Sequence, residues 1–207
     1  MATYNYGTLK RQIEATLNNG SVGDIDTIDG YAYRGMVKIQ RDIPTLPFLL
    51  KTNVTPVGPT TGTYAVKPDD YLRMKTLMVN MKPLLKVGED RFFKLYNPAA
   101  APEYYTDYGD RFLIGGQPAE GAEIALRYYA EMKFPENDED DNEIIRLMPD
   151  LLIYAAVVEA GKDLLAEESI LNLWNNTYQE LRAQIQNQID EDAFEGMMTV
   201  EAPLGEY

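Results

Sequence analysis

Residues 149–159 read Pro-Asp-Leu-Leu-Ile-Tyr-Ala-Ala-Val-Val-Glu, and from Leu151 to Val158 no polar face is left at helical spacing. Pro149 suits the first position of a helix, where its missing N–H would be unpaired in any case. A helix that is apolar all round has to be enclosed by protein, so this segment is predicted to be the hub on which the other helices pack. It is far short of the roughly 20 apolar residues that cross a bilayer, and Glu159 and Asp163 follow it at once.

Downstream, a last helix is predicted to start near Glu167, with Ile170, Trp174, Leu181, Ile185 and Ile189 on one stripe. Its other faces hold Asn172, Asn175, Asn176, Gln179, Gln184, Gln186, Asn187 and Gln188. Exposed helix surfaces normally carry Lys and Glu. Uncharged amides suit a subunit interface, with a merely polar exterior as the other reading. The pattern stops after Asp192. The segment beyond it keeps Phe194, Met197, Met198, Val200, Leu204 and Tyr207 in a stretch too short and glycine-broken to fold alone. Disordered ends usually lack so many apolar residues, so this tail is expected to order on a partner; an ordinary frayed end is the alternative.

Upstream of the hub lies Glu136-Asn137-Asp138-Glu139-Asp140-Asp141-Asn142-Glu143. Clustered carboxylates invite a calcium reading. A loop opened at Asp138, however, puts Glu143 where an EF-hand needs Gly and Pro149 where it needs its bidentate Glu. The expectation is a solvated turn in which Asp141 or Asn142 caps a short helix over Glu143–Met148.

At the other end of the chain, Leu9, Ile13 and Leu17 recur at helical spacing after Thr8, a candidate N-cap, and Asn18-Asn19-Gly20 supplies a stop. A second helix is predicted over Asp24–Asp42, with Ile25, Ile28, Ala32, Met36, Ile39 and Ile43 along one face and Pro44 ending it. Gly30 and Gly35 inside it cost about 1 kcal/mol each relative to Ala. Either another backbone approaches there or they are tolerated surface glycines.

From Pro44 to Ala130 the texture changes to short runs of Val, Thr, Tyr and Leu broken by Pro and Gly. These read as strands near 48–54, 63–67, 72–80, 84–87, 111–114 and 123–131, with a short helix near 89–96. The stretch carrying Tyr96, Tyr104, Tyr105 and Tyr108 reads as a loop packed on the sheet, with sugar stacking or a protein interface as functional alternatives. The fold class is therefore α+β. A helical bundle formed by N- and C-terminal helices (1–43 and 131–192) carries an inserted small antiparallel β module (44–130), and an extended partner-docking tail follows (193–207).

The 207 residues contain neither His nor Cys. That removes Ser-His-Asp and Cys-His nucleophilic systems, Cys/His zinc sites and disulfides. Gly58-Pro59-Thr60-Thr61-Gly62 is too short for a Walker loop and lacks its Lys. A glycosidase-type carboxylate pair needs neither missing residue, but among 33 acidic side chains a chance pair at the right distance is nearly assured. No catalytic, cofactor-binding or metal-ligating residue is expected. Met1 to Gly20 has no apolar run of signal-peptide length, so the chain is read as soluble and unexported.

Lys and Arg number 5 against 5 Asp and Glu in residues 1–43, 10 against 9 in 44–130, and 4 against 19 in 131–207. Such a surface is unsuited to general phosphate binding. In the β module, Lys67, Arg73, Lys75, Lys82, Lys86, Arg91 and Lys94 outnumber nearby acids, so neighbouring copies could complement each other head to tail.

The string Pro118, Gly121, Ile124, Leu126, Tyr128, Tyr129, then Leu147, Pro149, Asp150, Leu151, Tyr154, Ala156, Glu159 and Ala160, then Trp174 and Tyr178 resembles the head-to-tail adaptor (connector) proteins of tailed bacteriophages. That group includes the tail tubular protein A type of short-tailed phages. The resemblance covers roughly residues 5–43 and 118–192, while the strands from Phe48 to Ile114 match only in texture. It implies a virion structural protein of the neck, at the head-tail junction, made in the host cytoplasm. It further implies a homo-oligomeric ring, a dodecamer in the particle, seated between the portal protein and a downstream tail or nozzle protein. Double-stranded DNA would pass without specific binding, and no membrane, cofactor or enzymatic role is implied.

By the same analogy the tail reaches up along the portal through Phe194, Met197, Met198, Val200, Leu204 and Tyr207. A carboxylate-lined channel repels phosphates. The acidic residues expected to face the channel or the portal are Glu136, Asp138, Glu139, Asp140, Asp141, Asp190, Glu191 and Asp192. The alternative function is a carbohydrate-binding or glycoside-hydrolysing particle component that uses the β module.

Overall fold

Pro149 does open a helix at its first position, and Leu151–Val158 are buried except for the half-buried Tyr154. The chain order is α1 (Tyr6–Leu17), α2 (Ile25–Asp42), a 3-10 turn (Pro47–Leu49), β1 (Leu50–Pro56), β2 (Tyr64–Val66), β3 (Tyr71–Val79), β4 (Lys82–Pro83), β5 (Leu85–Lys86), α3 (Glu89–Leu95), β6 (Tyr104–Tyr108), β7 (Arg111–Gly115), β8 (Glu123–Ala130), α4 (Glu143–Leu147), α5 (Pro149–Asp163) and α6 (Glu168–Met198). The structure, a computed structural model, describes residues 4–17, 25–57, 63–164 and 166–198, with 25, 26 and 192–198 described by backbone alone. It is mixed α+β and divides into two units, residues 1–48 with 132–207 and residues 49–131.

In the first unit α5 lies against α1, α2, α4 and α6. Leu9, Ile13 and Leu17 of α1 and Ile28, Ala32, Met36 and Ile39 of α2 are buried, at the spacing that places them on one face of each helix. Asn5, rather than Thr8, caps α1. Its Oδ1 accepts from the Thr8 N–H at 3.0 Å and from the Thr8 hydroxyl at 2.8 Å, so the helix begins nearly a turn earlier than expected. Gly35 sits where α2 meets α5: a Cβ there would lie 2.9 Å from the Ala156 backbone nitrogen, whereas one at Gly30 would meet nothing within 4 Å. The two glycines thus divide between the two readings.

The last helix runs to Met198 instead of stopping at Asp192. Glu191 to Glu195 are all compatible with helix, and Gly196 alone costs only about 1 kcal/mol. The segment expected to be an extended tail therefore starts as helix, which corrects its first six residues, 193–198. Residues 199–207 lie outside the described residues.

The second unit holds two four-stranded sheets, ordered β1-β8-β3-β4 and β2-β7-β6-β5. All pairings are antiparallel except β5 with β6. Leu77 and Val79 of β3 and Ile124, Leu126, Tyr128 and Ala130 of β8 share a core with Tyr105, Phe112 and Ile114 of the other sheet, following the two-residue period of strands. Tyr104–Tyr108, expected to be a loop, is the strand β6. Its alternation is hidden because Tyr occurs on both faces and Thr106 is buried beside Tyr105. β1 starts at Leu50 and not near Phe48, since Pro47–Leu49 form the 3-10 turn. Among the described residues no helix is long and apolar enough to cross a membrane.

Gly35→Ala should destabilise the protein by about 1–3 kcal/mol, because the displaced atoms are backbone. Gly30→Ala should stabilise it by up to about 1 kcal/mol. Urea unfolding of the two variants beside the parent measures both.

Candidate functional site

The acidic loop is built as a clasp on the start of α1. Free N–H groups at a helix N-terminus need acceptors. Here the Asp140 carbonyl accepts from the Tyr6 N–H and the Asp138 carbonyl from the Gly7 N–H, both at 2.9 Å. The Asp138 carboxylate pairs with Lys10 Nζ at 2.5 Å, and Lys10 also reaches Asp29 at 3.2 Å. Asp29 in turn accepts from the Tyr6 hydroxyl at 2.8 Å. Burial and the bond to Asp29 both push the Tyr6 phenol up from its ordinary pKa. Within the loop, Asp140 Oδ2 accepts from the N–H groups of Asn137 and Glu136 at 2.8 and 3.0 Å. These bonds, Asn137's first, hold the Asp140 carboxyl below the usual carboxylate range.

Asn142 ends the loop. Its Oδ1 accepts from the Ile145 N–H at 3.0 Å as the cap of α4, and its Nδ2 donates to the Lys133 carbonyl at 2.9 Å. Two of the five acidic loop candidates, Asp138 and Asp140, therefore serve the fold directly. Glu136, Glu139 and Asp141 are exposed. The Lys10 contact joins residues 128 positions apart, and no local pattern announces it. Among the described residues no group of three or more acidic side chains is placed to hold a metal ion.

The other three candidates lie on α6. Asp190 and Glu191 are exposed, and Asp190 accepts from Gln186 one turn earlier at 2.9 Å. Asp192, Phe194, Met197 and Met198 are placed on helical backbone only, and Val200, Leu204 and Tyr207 lie outside the described residues. The eight acidic candidates thus fall on two separate elements.

The first half of α6 is anchored. Tyr178 is fully buried, and its hydroxyl donates to Asp42 Oδ2 at 2.8 Å, with Lys38 Nζ 3.5 Å from the same oxygen. Burial pushes the Asp42 carboxyl up, but the Tyr178 bond and the charges of Lys38 and Arg41 outweigh it and leave the carboxyl below its ordinary range. Trp174 packs on Gly161, where a Cβ would lie 3.0 Å from the indole. Among the described residues the second half has no such anchor. α6 has 31 residues and α5 has 15, so at ~1.5 Å per residue α6 is about 24 Å longer than the helix it packs on. Leu181, Ile185 and Ile189 are only half-buried, Ile170 is exposed, and most of the amides are exposed. The predicted stripe is thus not a core stripe along its whole length.

In the β module the four tyrosines do not form one platform. Tyr105 is core, 5% exposed, so it cannot stack a sugar. Tyr104 donates its hydroxyl to the Leu95 carbonyl, and only Tyr96 and Tyr108 are exposed. Of the basic set, Lys67 is used internally, donating to Asp107 Oδ1 and the Gly109 carbonyl, both at 2.7 Å. Arg73, Lys75, Lys82, Lys86, Arg91 and Lys94 are exposed.

Asp140→Ala should abolish hydrogen-exchange protection of the Glu136 and Asn137 amides and leave that of α5 unchanged. Tyr178→Phe should cost about 1.5–3 kcal/mol, the range for a hydrogen bond to a charged group. Because the Asp42 carboxyl is lowered from 3.8, its contribution is complete above that pH and disappears as pH falls through the lower native value. Acid titration of stability should therefore be shallower in Asp42→Asn than in the parent below about pH 4.

No curated protein matches the chain. The family model described as SU10 adaptor protein matches residues 4–201, and the chain belongs to that family, a bacteriophage head-tail adaptor family of virion structural proteins.

Proposed function

We propose that this SU10 adaptor family member forms a ring between the portal protein and the tail and lines the DNA exit channel. The observation that carries the reading is α6, which is anchored at Tyr178 and Trp174 and then continues with half-buried Leu181, Ile185 and Ile189. A helix of that kind fits a machine completed by neighbours. On this reading the helices of both chain ends act as one bundle, with the β module inserted between them. The ring is a homo-oligomer, a dodecamer in the particle. It sits at the neck, with the portal on one side and a tail or nozzle protein on the other, after synthesis in the host cytoplasm.

Residues 193–207 dock on the portal through Phe194, Met197 and Met198 at the end of α6 and Val200, Leu204 and Tyr207 beyond it. Of the acidic candidates, Glu136, Glu139, Asp141, Asp190 and Glu191 are exposed and available to the channel or to a neighbour, and Asp192 follows them on the same helix. Repulsion of DNA phosphates by such groups reaches only about 8 Å at physiological ionic strength, so it keeps DNA from sticking without impeding its passage. The protein turns over no substrate and needs no cofactor.

Mixing the full chain with the portal and measuring mass by sedimentation should give a portal–ring complex. Deletion of residues 193–207 should weaken or abolish the complex, with the helical signal of residues 4–192 retained. An undiminished complex after deletion would refute the role assigned to the tail.

A further inference from the structure

The face of the β1-β8-β3 sheet turned away from its core gathers cations that, among the described residues, are in no ion pair. Arg73 stands opposite Tyr129, and Arg127 lies between Thr76 on β3 and Thr52 on β1. Directly opposed residues share a face, and the two-residue period puts Arg127 and Tyr129 on the same one. Lys75 reaches it at the irregularity between Met74 and Thr76: its Nζ lies 5.9 Å from the centre of the Tyr129 ring. The other face of the sheet is core, formed by Ile124, Leu126 and Tyr128.

Elsewhere in this unit Lys51 pairs with Asp70 at 2.6 Å, Lys67 with Asp107 at 2.7 Å and Arg111 with Asp110 at 2.8 Å, while Lys82, Lys86, Arg91 and Lys94 are exposed on β4, β5 and α3, away from this face. Arg73 and Lys75 are exposed and Arg127 is half-buried. Among the described residues none of the three is in an ion pair. Glu123 opens β8 and Glu131 follows its end, each four residues from Arg127, about 13 Å along a strand, with Glu131 two residues from Tyr129.

The acidic loop has the complementary surplus. Asp138 and Asp140 are occupied by Lys10 and by backbone N–H groups, while Glu136, Glu139 and Asp141 are exposed on a loop whose backbone is fixed by those bonds. We infer that the Arg73–Lys75–Arg127 face receives the Glu136–Asp141 loop of a second copy. This rests on the ring reading above and specifies its contact. Two different surfaces on one chain make a heterologous contact, which closes into a ring when the rotation fits. Copies of net charge −14 repel one another, but that repulsion is screened beyond about 8 Å, so the local pairing decides at contact. Arginine forks suit this use, because they take carboxylates with two parallel bonds. Asp190 and Glu191 remain for the channel or the portal.

The test uses the full chain, half of it isotope-labelled, assembled on the portal and treated with a carbodiimide, which couples carboxylates to amines without a spacer. Mixed-isotope peptides joining Lys75 to Glu136, Glu139 or Asp141 are expected; their absence from assembled rings overturns the contact. In parallel, Arg73→Glu/Lys75→Glu/Arg127→Glu and Glu136→Lys/Glu139→Lys/Asp141→Lys should each lose ring formation while keeping the parent's circular dichroism. An equimolar mixture should regain rings, since every contact in an alternating ring is again complementary. Rings from either variant alone, or none from the mixture of folded variants, overturn the proposal. If the first variant instead loses affinity for a double-stranded DNA fragment while the second still forms rings, the face serves DNA and the proposal falls. Should the unmodified chain form no ring on the portal, the adaptor ring itself is refuted, and this contact with it.

Discussion

Enclosure of α5 is the constraint on which the rest of the helical unit depends. A helix with no polar face gains nothing from water on any side, so each neighbour is held to it by a specific device. α2 comes close enough that only Gly fits at position 35, and α6 seats Trp174 over Gly161. The Tyr178 hydroxyl then locks α6 to Asp42 at the end of α2. α4 precedes α5 directly, its cap provided by Asn142. α1 packs on α5 as well, and the acidic loop, at first sight a solvated excess of charge, fixes the start of α1 by supplying two carbonyls and Asp138.

What was legible in the amino-acid order was whatever is decided within a few residues. The all-apolar run, Pro149 at a helix start, Asn142 as a cap and Pro44 as the limit of α2 all depend on neighbours in the chain, and each is as read. Asn5 and Thr8 are both capping types in the sequence, and only the bonds from the Thr8 N–H and hydroxyl to Asn5 Oδ1 distinguish them. β6 was hidden by tyrosines on both of its faces, and the parallel β5–β6 pair has no local signature at all. The full length of α6 is hidden in the sequence because the apolar periodicity fades before the helix does. Of the candidate site, the acidic loop could be located but not its division into structural and free carboxylates, which depends on Lys10 more than a hundred residues away.

Charge is distributed by unit more sharply than by thirds of the sequence. Residues 49–131 hold ten basic and ten acidic side chains, so the whole excess of −14 belongs to residues 1–48 and 132–207. Neutrality of the β module is nevertheless not uniform: three cations pair with Asp70, Asp107 and Asp110, while Arg73, Lys75 and Arg127 share one sheet face. A fold needs no such segregation, whereas the proposed ring, which would combine adhesion between subunits with indifference to a polyanion, does.

The pairing of β1 with β8 sets Leu50 opposite Tyr129, so the β module brings together the two points where the chain enters and leaves it. Helices encoded at opposite ends of the chain would otherwise have to find each other across a loop of about eighty residues. Loop-closure entropy grows by about 0.6 kcal/mol per doubling of length, so shortening that loop to a few residues saves the helical unit about 3 kcal/mol. The inserted strands therefore act as a topological staple, made of backbone hydrogen bonds in a chain that has no cysteine to make one of sulfur.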